Sequence, residues 1–341
     1  MFATIRSLGI TVAVLSLSYA IQAQHRHDYT RGDALGSIGA QRQKLKASST
    51  SAPRSSAPAG QYNFMQVDVP GSVATELSGI NSLGQTVGLY VDGSGTFHGL
   101  LRNINGSIVT IDYPGAIFIS ANGINSRGDI VGRWDDSSSI THAFLRTSQG
   151  TITSFDPPAP CVAVTSEDTY GTAAHGINDL GDIVGRCFDA SGKELGWLLR
   201  HDGSFLILDN PSFLSTDSWK IDNSVKIVGD YSDADEFLHG YKWTETDGFT
   251  TVDFEQAQTA VRGINQRGDI SGLYSFDGFN TLHGFLRLTN GLDFTIDPPG
   301  SADATISVVI NNSGTIAGFY LDADSNEHGY IAIPAAAGRN H

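Results

Sequence analysis

From residue 62 onward apolar and polar positions alternate in short runs, and Gly, Asn, Asp and Ser stand between the runs. Alternation at a period of two is the pattern of a half-buried strand, and those spacers are turn formers. One run is spelled most plainly as Gly-Ile-Asn-Ser-Arg-Gly-Asp-Ile-Val-Gly, Gly123 to Gly132, and it returns in altered form five more times. Its isoleucines, Ile80, Ile124, Ile177, Ile221, Ile264 and Ile310, are spaced by 44, 53, 44, 43 and 46 residues. That period suits a four-stranded unit and is too long for one coil of a β-solenoid.

Each unit reads as four antiparallel strands. A strand ending in Gly123-Ile124-Asn125 meets a second across Asn125 to Gly128, where glycine can take the positive φ of a short hairpin. The fourth unit carries Asp222 and Val225 at those places, so a looser or different turn is expected there. After the second strand comes an acidic turn such as Asp92-Gly93-Ser94-Gly95. A third strand then opens at His98, His142, His239, His283 or His328, with Leu195 in the third unit. A fourth strand ends at Asp112, Asp156, Asp209, Asp253 or Asp297.

The two ends complement each other. Phe64 to Pro70 reads as a fourth strand with no unit before it, and the last unit stops after its third strand, His328 to Pro334. Joining them completes a sixth unit and leaves no open sheet edge. The expected fold is therefore all-β: a six-bladed β-propeller of four-stranded antiparallel blades over residues 61–334, closed by the N-terminal strand. The alternatives are a seven-bladed ring with one degenerate unit, or an open stack.

With GINxxGxxVG, His-Ala-Phe at His142 to Phe144 and the Asp-x-Pro-Gly turns recurring together, residues 62 to 333 resemble the bacterial extracellular HAF repeat family. The resemblance implies secretion and a propeller-like β architecture, and it brings no activity with it.

Residues 1–23 read as a signal peptide: one positive charge in MFATIR, an apolar run from Leu8 to Ala20, and small residues near Ala20 and Ala23. The run is shorter than the roughly 20 apolar residues a bilayer span needs, so a protein that does not span the membrane is expected, secreted to the periplasm or beyond. Residues 24–60, ending in SSTSAPRSSAPAG, read as a disordered basic linker, and 335–341 as a disordered tail. The net charge is −15, and seven of the 21 basic residues precede residue 61 against two of the 36 acidic ones, which leaves a strongly acidic body. Such a body repels a phosphate backbone, so nucleic acid is not an expected partner. The only cysteines, Cys161 and Cys187, fall in one repeat and could form a disulfide in an oxidising compartment.

Repeated polar residues point to architecture. His98 and Asp112 lie seven positions either side of Asn105, opposite one another on a hairpin, and an equivalent pair recurs in other units. A His to Asp bond in each would tie the crossover loop to its sheet. The crossovers and the turns between strands two and three share one face, where a ligand is expected because the longest unrepeated segments gather there. The largest is Pro157 to Ala174, with Glu167, Asp168 and Tyr170, followed by His175. Aromatic candidates on this face are Trp134 and Tyr231, with Tyr90, Tyr274 and Tyr320; the alternative for each is packing between sheets. Asp322, Asp324 and Glu327 offer alternate oxygens to Ca²⁺, although the glycine of a calcium loop is missing and an acidic turn bonded to itself accounts for them equally. No catalytic set is recognisable, and no other cofactor is expected. The leading expectation is a non-enzymatic binding module for an extracellular saccharide or surface protein. The alternatives are a glycan hydrolase or lyase using loop carboxylates, and a structural envelope component. Two carboxylates facing each other in a central pocket would favour the enzyme.

Overall fold

The computed structural model describes residues 62–162, 171–302 and 304–335. Contacts divide the chain into residues 1–46 and 47–341, and every described residue belongs to the second unit. The expected signal segment and linker lie outside the described residues, as does the expected tail after Ala335.

The described residues form strands and turns, without helix. After β1 (Tyr62–Val67) come six copies of one meander. The first is β2 (Ser72–Ile80), β3 (Thr86–Asp92), β4 (Phe97–Arg102) and β5 (Ile108–Ile111). The second is β6 (Phe118–Ile124), β7 (Ile130–Asp135), β8 (Thr141–Arg146) and β9 (Ile152–Phe155). The third is β10 (Ala173–Ile177), β11 (Ile183–Phe188), β12 (Glu194–Leu199) and β13 (Phe205–Leu208). The fourth is β14 (Ser215–Ile221), β15 (Ile227–Ser232), β16 (Leu238–Thr244) and β17 (Gly248–Thr251). The fifth is β18 (Gln258–Ile264), β19 (Ile270–Ser275), β20 (His283–Arg287) and β21 (Asp293–Thr295). The sixth has three strands of its own, β22 (Thr305–Ile310), β23 (Ile316–Leu321) and β24 (Glu327–Pro334).

Strand β1 pairs antiparallel with β24, Tyr62 opposite Pro334 through Val67 opposite Gly329, so the sixth sheet also has four strands. One parallel pairing, Ala74 with Glu327, links it to the first sheet. The first strands touch in succession: β2 with β6, β6 with β10, β10 with β14, β14 with β18, β18 with β22, and β22 with β2. We call the place where they meet the hub.

The core lies in the seams between consecutive sheets. Val87, Leu101 and Ile111 of the first sheet pack with Ile119, Ile124, Ile130 and Phe144 of the second, and comparable clusters fill later seams. Two glycines show why the motif has its composition. A Cβ on Gly132 of β7 would lie 2.0 Å from the carbonyl oxygen of Ser120 and 2.7 Å from the ring of Phe144. Gly132 thus makes room for the buried aromatic of the neighbouring strand. A Cβ on Gly123, just before Ile124, would lie 2.9 Å from the carbonyl oxygen of His175, so its absence lets the first strands of two sheets come together at the hub.

Every first strand also carries a β-bulge two residues before its isoleucine, as between Ala121 and Gly123 or Ser218 and Lys220. The residues skipped in the pairing are Ser78, Asn122, His175, Trp219, Arg262 and Val308. A bulge leaves one residue out of the ladder and re-aims its side chain. These six places share a backbone role while their residues differ in every copy.

The fourth hairpin is a correction to the looser turn expected from its sequence. Asp222 N donates to Lys226 O at 2.9 Å and Val225 N to Asp222 O at 3.1 Å, the bonds that Asn125 and Gly128 make in the second sheet. Val225 reaches this turn at φ 59°, a left-handed conformation that strains a β-branched residue. Hydrogen bonding of the turn overrides the local preference of valine.

Candidate functional site

The asparagine after each isoleucine links one sheet to the next. In the second sheet, Asn125 Oδ1 accepts from the backbone N of Arg127 at 3.0 Å and of Asp129 at 2.9 Å, closing its own turn. Its Nδ2 donates to Asp129 Oδ2 at 3.1 Å and to the carbonyl of Asn178 in the third sheet at 3.3 Å. Two acceptor and two donor roles are needed at one place, and only an amide supplies both. Likewise Asn81 donates to Asn125 O at 3.1 Å, Asn178 to Asp222 O at 3.2 Å, Asn265 to Asn311 O at 3.2 Å and Asn311 to Asn81 O at 3.1 Å.

The succession is broken only between the fourth sheet and the fifth. Asp222 has no donor, and its Oδ2 is buried without a hydrogen bond, 3.6 Å from Lys226 Nζ. Asp222→Asn is therefore expected to complete the succession and raise stability by about 1 kcal/mol, the net worth of one buried hydrogen bond. The measurement is a denaturant midpoint at unchanged slope. A lowered midpoint would mean that the Lys226 ion pair outweighs the missing bond.

Beyond the asparagines a second tier joins the hairpin tips. Ser82 Oγ lies 2.7 Å from Ser126 Oγ, and Ser126 N donates to Asp179 Oδ1 at 2.7 Å. Asn223 Nδ2 donates to Asp179 Oδ2 at 2.9 Å, and Gln266 N to Asn312 Oδ1 at 2.9 Å. Within these tiers is a cavity of about 90 Å³, lined by the isoleucines, the asparagines, the second-tier residues and Lys220. Its polar lining is mostly amides and hydroxyls. Asp179 is its one carboxylate, and hydrogen bonds from Asn223 and Ser126 hold it below the ordinary carboxylate range against the effect of partial burial. The cavity sits among the hairpins joining first and second strands, at the opposite end of the strands from the crossover face where the sequence placed a ligand.

Lys220 occupies the place held by glycine in four other sheets. Its Nζ donates to the carbonyl of Asn122 at 2.7 Å and of His175 at 2.6 Å, reaching from the fourth sheet to the second and third. Burial, then the nearby guanidinium of Arg262, lowers its pKa to about 7, with Asp217 pulling the other way.

The bulged residues of the third, fourth and fifth sheets form a stack. The ring of His175 lies 4.0 Å from that of Trp219, and Arg262 Cζ sits 4.0 Å over Trp219 on its ring centroid. A buried ionic belt surrounds them. Arg262 Nη1 hydrogen-bonds Asp230, Arg186 Nη1 donates to Glu194 at 2.6 Å, and His175 Nε2 is 3.5 Å from Asp217 Oδ1. Burial first, and then the charges of Arg186, Lys220 and Arg262, push His175 well below its usual range, so the imidazole is neutral. Burial and the neighbouring Glu194 carboxylate drive Asp217 well above its own. Facing the sixth sheet, Glu76 is raised in the same way by burial and by Glu327.

The repeated histidines stand apart from this centre, each within its own sheet. His98 Nδ1 lies 2.8 Å from Asp112, His142 2.9 Å from Asp156, His239 2.8 Å from Asp253, and His283 2.9 Å from Asp297. His328 finds Asp68 at 3.1 Å, from the segment after β1. Asp209 has no histidine; Lys193 Nζ contacts its two oxygens at 2.9 and 2.8 Å. The other imidazole nitrogen often meets the acidic turn, as His98 Nε2 does with Asp92 at 3.4 Å. Burial opposes the protonated form of His98, and the bonds to Asp112 and Asp92 more than offset it, so its pKa is raised.

Each of these histidines also lies against an aromatic expected at the ligand face, and some pairs stack, Trp134 on His142 at 4.9 Å and Tyr231 on His239 at 5.0 Å. Trp134 Nε1 donates to Ser154 Oγ at 2.9 Å, and Tyr231, 8% exposed, pairs its hydroxyl with Thr251 at 2.8 Å. Tyr231 and His175, 3% exposed, are therefore corrections: both are buried, because the second strand and the bulge direct them inward. Glu167, Asp168 and Tyr170 lie outside the described residues. Cys161 and Cys187 form a disulfide with Cα atoms 5.5 Å apart. Asp322 closes its own turn, accepting from the backbone N of Asp324 and Asn326, both at 2.9 Å, and hydrogen bonds from Asn326 depress it to about 2. Glu327 is buried in the seam beside Glu76. Among the described residues no three His, Cys, Asp or Glu side chains are arranged to hold a metal ion.

Sequence reasoning overlooked the hub residues Lys220, Trp219 and Arg262. A usable signal was present: aligned on the isoleucines, the two preceding places are the ones where charged and aromatic residues interrupt an otherwise regular motif.

No protein-family model matches the chain, and no curated protein does. Solved structures match it in fold. AofleA from Arthrobotrys oligospora is 12% identical, covering 81% of this chain and 88% of its own, with a TM-score of 0.51. A mutant Aleuria aurantia lectin in complex with Fucα1-6GlcNAc is 10% identical, covering 82% and 98%, with a TM-score of 0.50. Another structure of that lectin presents it as a six-bladed β-propeller with a novel fucose recognition mode, 10% identical over 85% of this chain and 100% of its own, TM-score 0.48. At such identities the likeness shows the architecture, an all-β propeller, and nothing of function.

Proposed function

We propose that this chain is a secreted six-bladed β-propeller, closed by β1, which binds a saccharide at its hub without catalysing a reaction. Six blades are supported by the six meanders, and closure by the pairing of β1 with β24 and the amide bond from Asn311 to Asn81. Secretion rests on the leader pattern and on the resemblance to HAF repeats. The observation that carries binding is the cavity itself. Its amides and hydroxyls are the donors and acceptors that sugar hydroxyls pair with, and the isoleucines give an apolar wall. Its single carboxylate, Asp179, is engaged by Ser126 and Asn223, so the facing pair of a glycosidase is missing from the lining.

The test is to screen the full chain against cell-envelope polysaccharides, with and without a chelator, and to repeat it with Ser82→Trp. Ser82 is an exposed residue of the cavity rim, where an indole would obstruct entry. At least one polysaccharide should bind, unaffected by the chelator, and Ser82→Trp should weaken it about tenfold at an unchanged melting midpoint, a loss of about 1.4 kcal/mol. Binding indifferent to Ser82→Trp would place the site elsewhere. Binding abolished by the chelator would make calcium part of it, product formation would favour the enzyme, and no binding at all would leave a structural envelope role.

A further inference from the structure

We propose that the hub cavity takes the carboxylate of an acidic saccharide, a uronic-acid residue, against the Lys220 ammonium; this rests on the saccharide reading above. Lys220 is the only cation in the cavity lining, and it is 8% exposed. An ammonium has three donors, and the carbonyls of Asn122 and His175 take two of them. Both acceptors are neutral, so Lys220 is a buried cation with no carboxylate hydrogen-bonded to it.

The cavity's own carboxylate does not serve as the missing counter-ion. Asp179 Oδ1 accepts from Ser126 N at 2.7 Å, and its Oδ2 accepts from Ser126 Oγ at 3.2 Å and Asn223 Nδ2 at 2.9 Å. Its lone pairs are directed into the rim. A ligand carboxylate would meet Lys220 and amide donors, with no competing acid on the floor.

Other hub cations have carboxylate partners, Arg262 with Asp230 and Arg186 with Glu194 at 2.6 Å, whereas Lys220 faces the two neutral carbonyls. The groups facing Lys220 electrostatically are Arg262, which lowers its pKa to about 7, Asp217, which raises it, and the neutral ring of His175. A bound carboxylate would restore the proton that this environment releases. Binding therefore takes up a proton above pH 7, and affinity falls as pH rises because free Lys220 must first be protonated.

The test is isothermal titration of the full chain with uronic-acid oligosaccharides and with the same oligosaccharides after their carboxyls are reduced to alcohols. The acidic forms should bind at least about tenfold tighter at pH 6.5, and their affinity should fall about tenfold per unit between pH 7 and 9. Lys220→Gln should erase the preference, bringing the acidic forms down to the affinity of their reduced counterparts. Lys220→Gly, which installs the residue found at this place in four other sheets, guards against a misfolded glutamine variant. Equal binding of both forms, or a preference that survives both substitutions, overturns the carboxylate while the saccharide reading stands. If neither form binds at any pH, both readings fall.

Discussion

Asp230→Ala is expected to destabilise the folded chain by about 3–5 kcal/mol, the usual cost of breaking a buried ion pair from one side. Asp230 of β15 and Arg262 of β18 have side chains 1% and 2% exposed, and they join the fourth sheet to the fifth. This is the seam that lacks the asparagine bond, so the ion pair is a principal polar tie there. Removing the carboxylate leaves a guanidinium buried among Trp219 and the neighbouring strands, where water cannot reach it. The other copies show how the place can be filled without charge: Leu89, Leu273 and Phe319 stand where Asp230 does, and Ser78 where Arg262 does. The double change Asp230→Leu with Arg262→Ser should therefore recover at least half of the single variant's loss, since burying an ion pair is seldom better than good apolar packing. Chemical denaturation of the four proteins in the cycle decides it. A single-variant cost below about 1 kcal/mol would mean that water reaches the pair.

Gly132→Ala is expected to cost about 3 kcal/mol, although it adds one methyl group. The new Cβ would lie 2.0 Å from Ser120 O and 2.7 Å from the ring of Phe144. The first obstacle is the backbone of the adjacent strand and the second a fully buried ring, so neither can give way without opening the β6–β7 pairing or the seam. In a chain this size, such a loss lowers the melting midpoint by roughly 6–12 °C. Gly106→Ala is the contrast. It carries φ +85° in an exposed turn, its Cβ would meet only the end of Arg102 at 3.7 Å, and it should cost about 1 kcal/mol from backbone strain alone. Similar melting midpoints for the two variants would refute the argument from close approach.

The meander was legible because its signals are local. Alternation of Ile130, Gly132 and Trp134 against their neighbours, with a turn former every few residues, specifies strands whatever lies around them. The His to Asp pairs were legible for the same reason: partners 14 positions apart on one hairpin are brought opposite by that hairpin. Tyr231 and His175 lie inside rather than at the expected face because a side chain's outward or inward direction depends on which neighbour covers the sheet. Hydropathy does not carry that information for an amphipathic ring. The fourth hairpin departs from the expectation because the two backbone bonds that Asp222 accepts at 2.8 Å outweigh the propensity of valine, and those bonds are not visible in local preference.

By itself, the sequence determined how many meanders there are, what lies within each, and which terminal segments lack a complement, since all of these follow from spacing along the chain. Only the tertiary structure decided that Lys220 reaches carbonyls 98 and 45 residues away, that Trp219 lies between His175 and Arg262, and that the amides of successive sheets join. The reason is physical: the first strands converge at the hub, and bulges there bring His175, Trp219 and Arg262 together, so side chains from sheets far apart in sequence become neighbours. Contacts of that kind have no period in the chain from which they could be read.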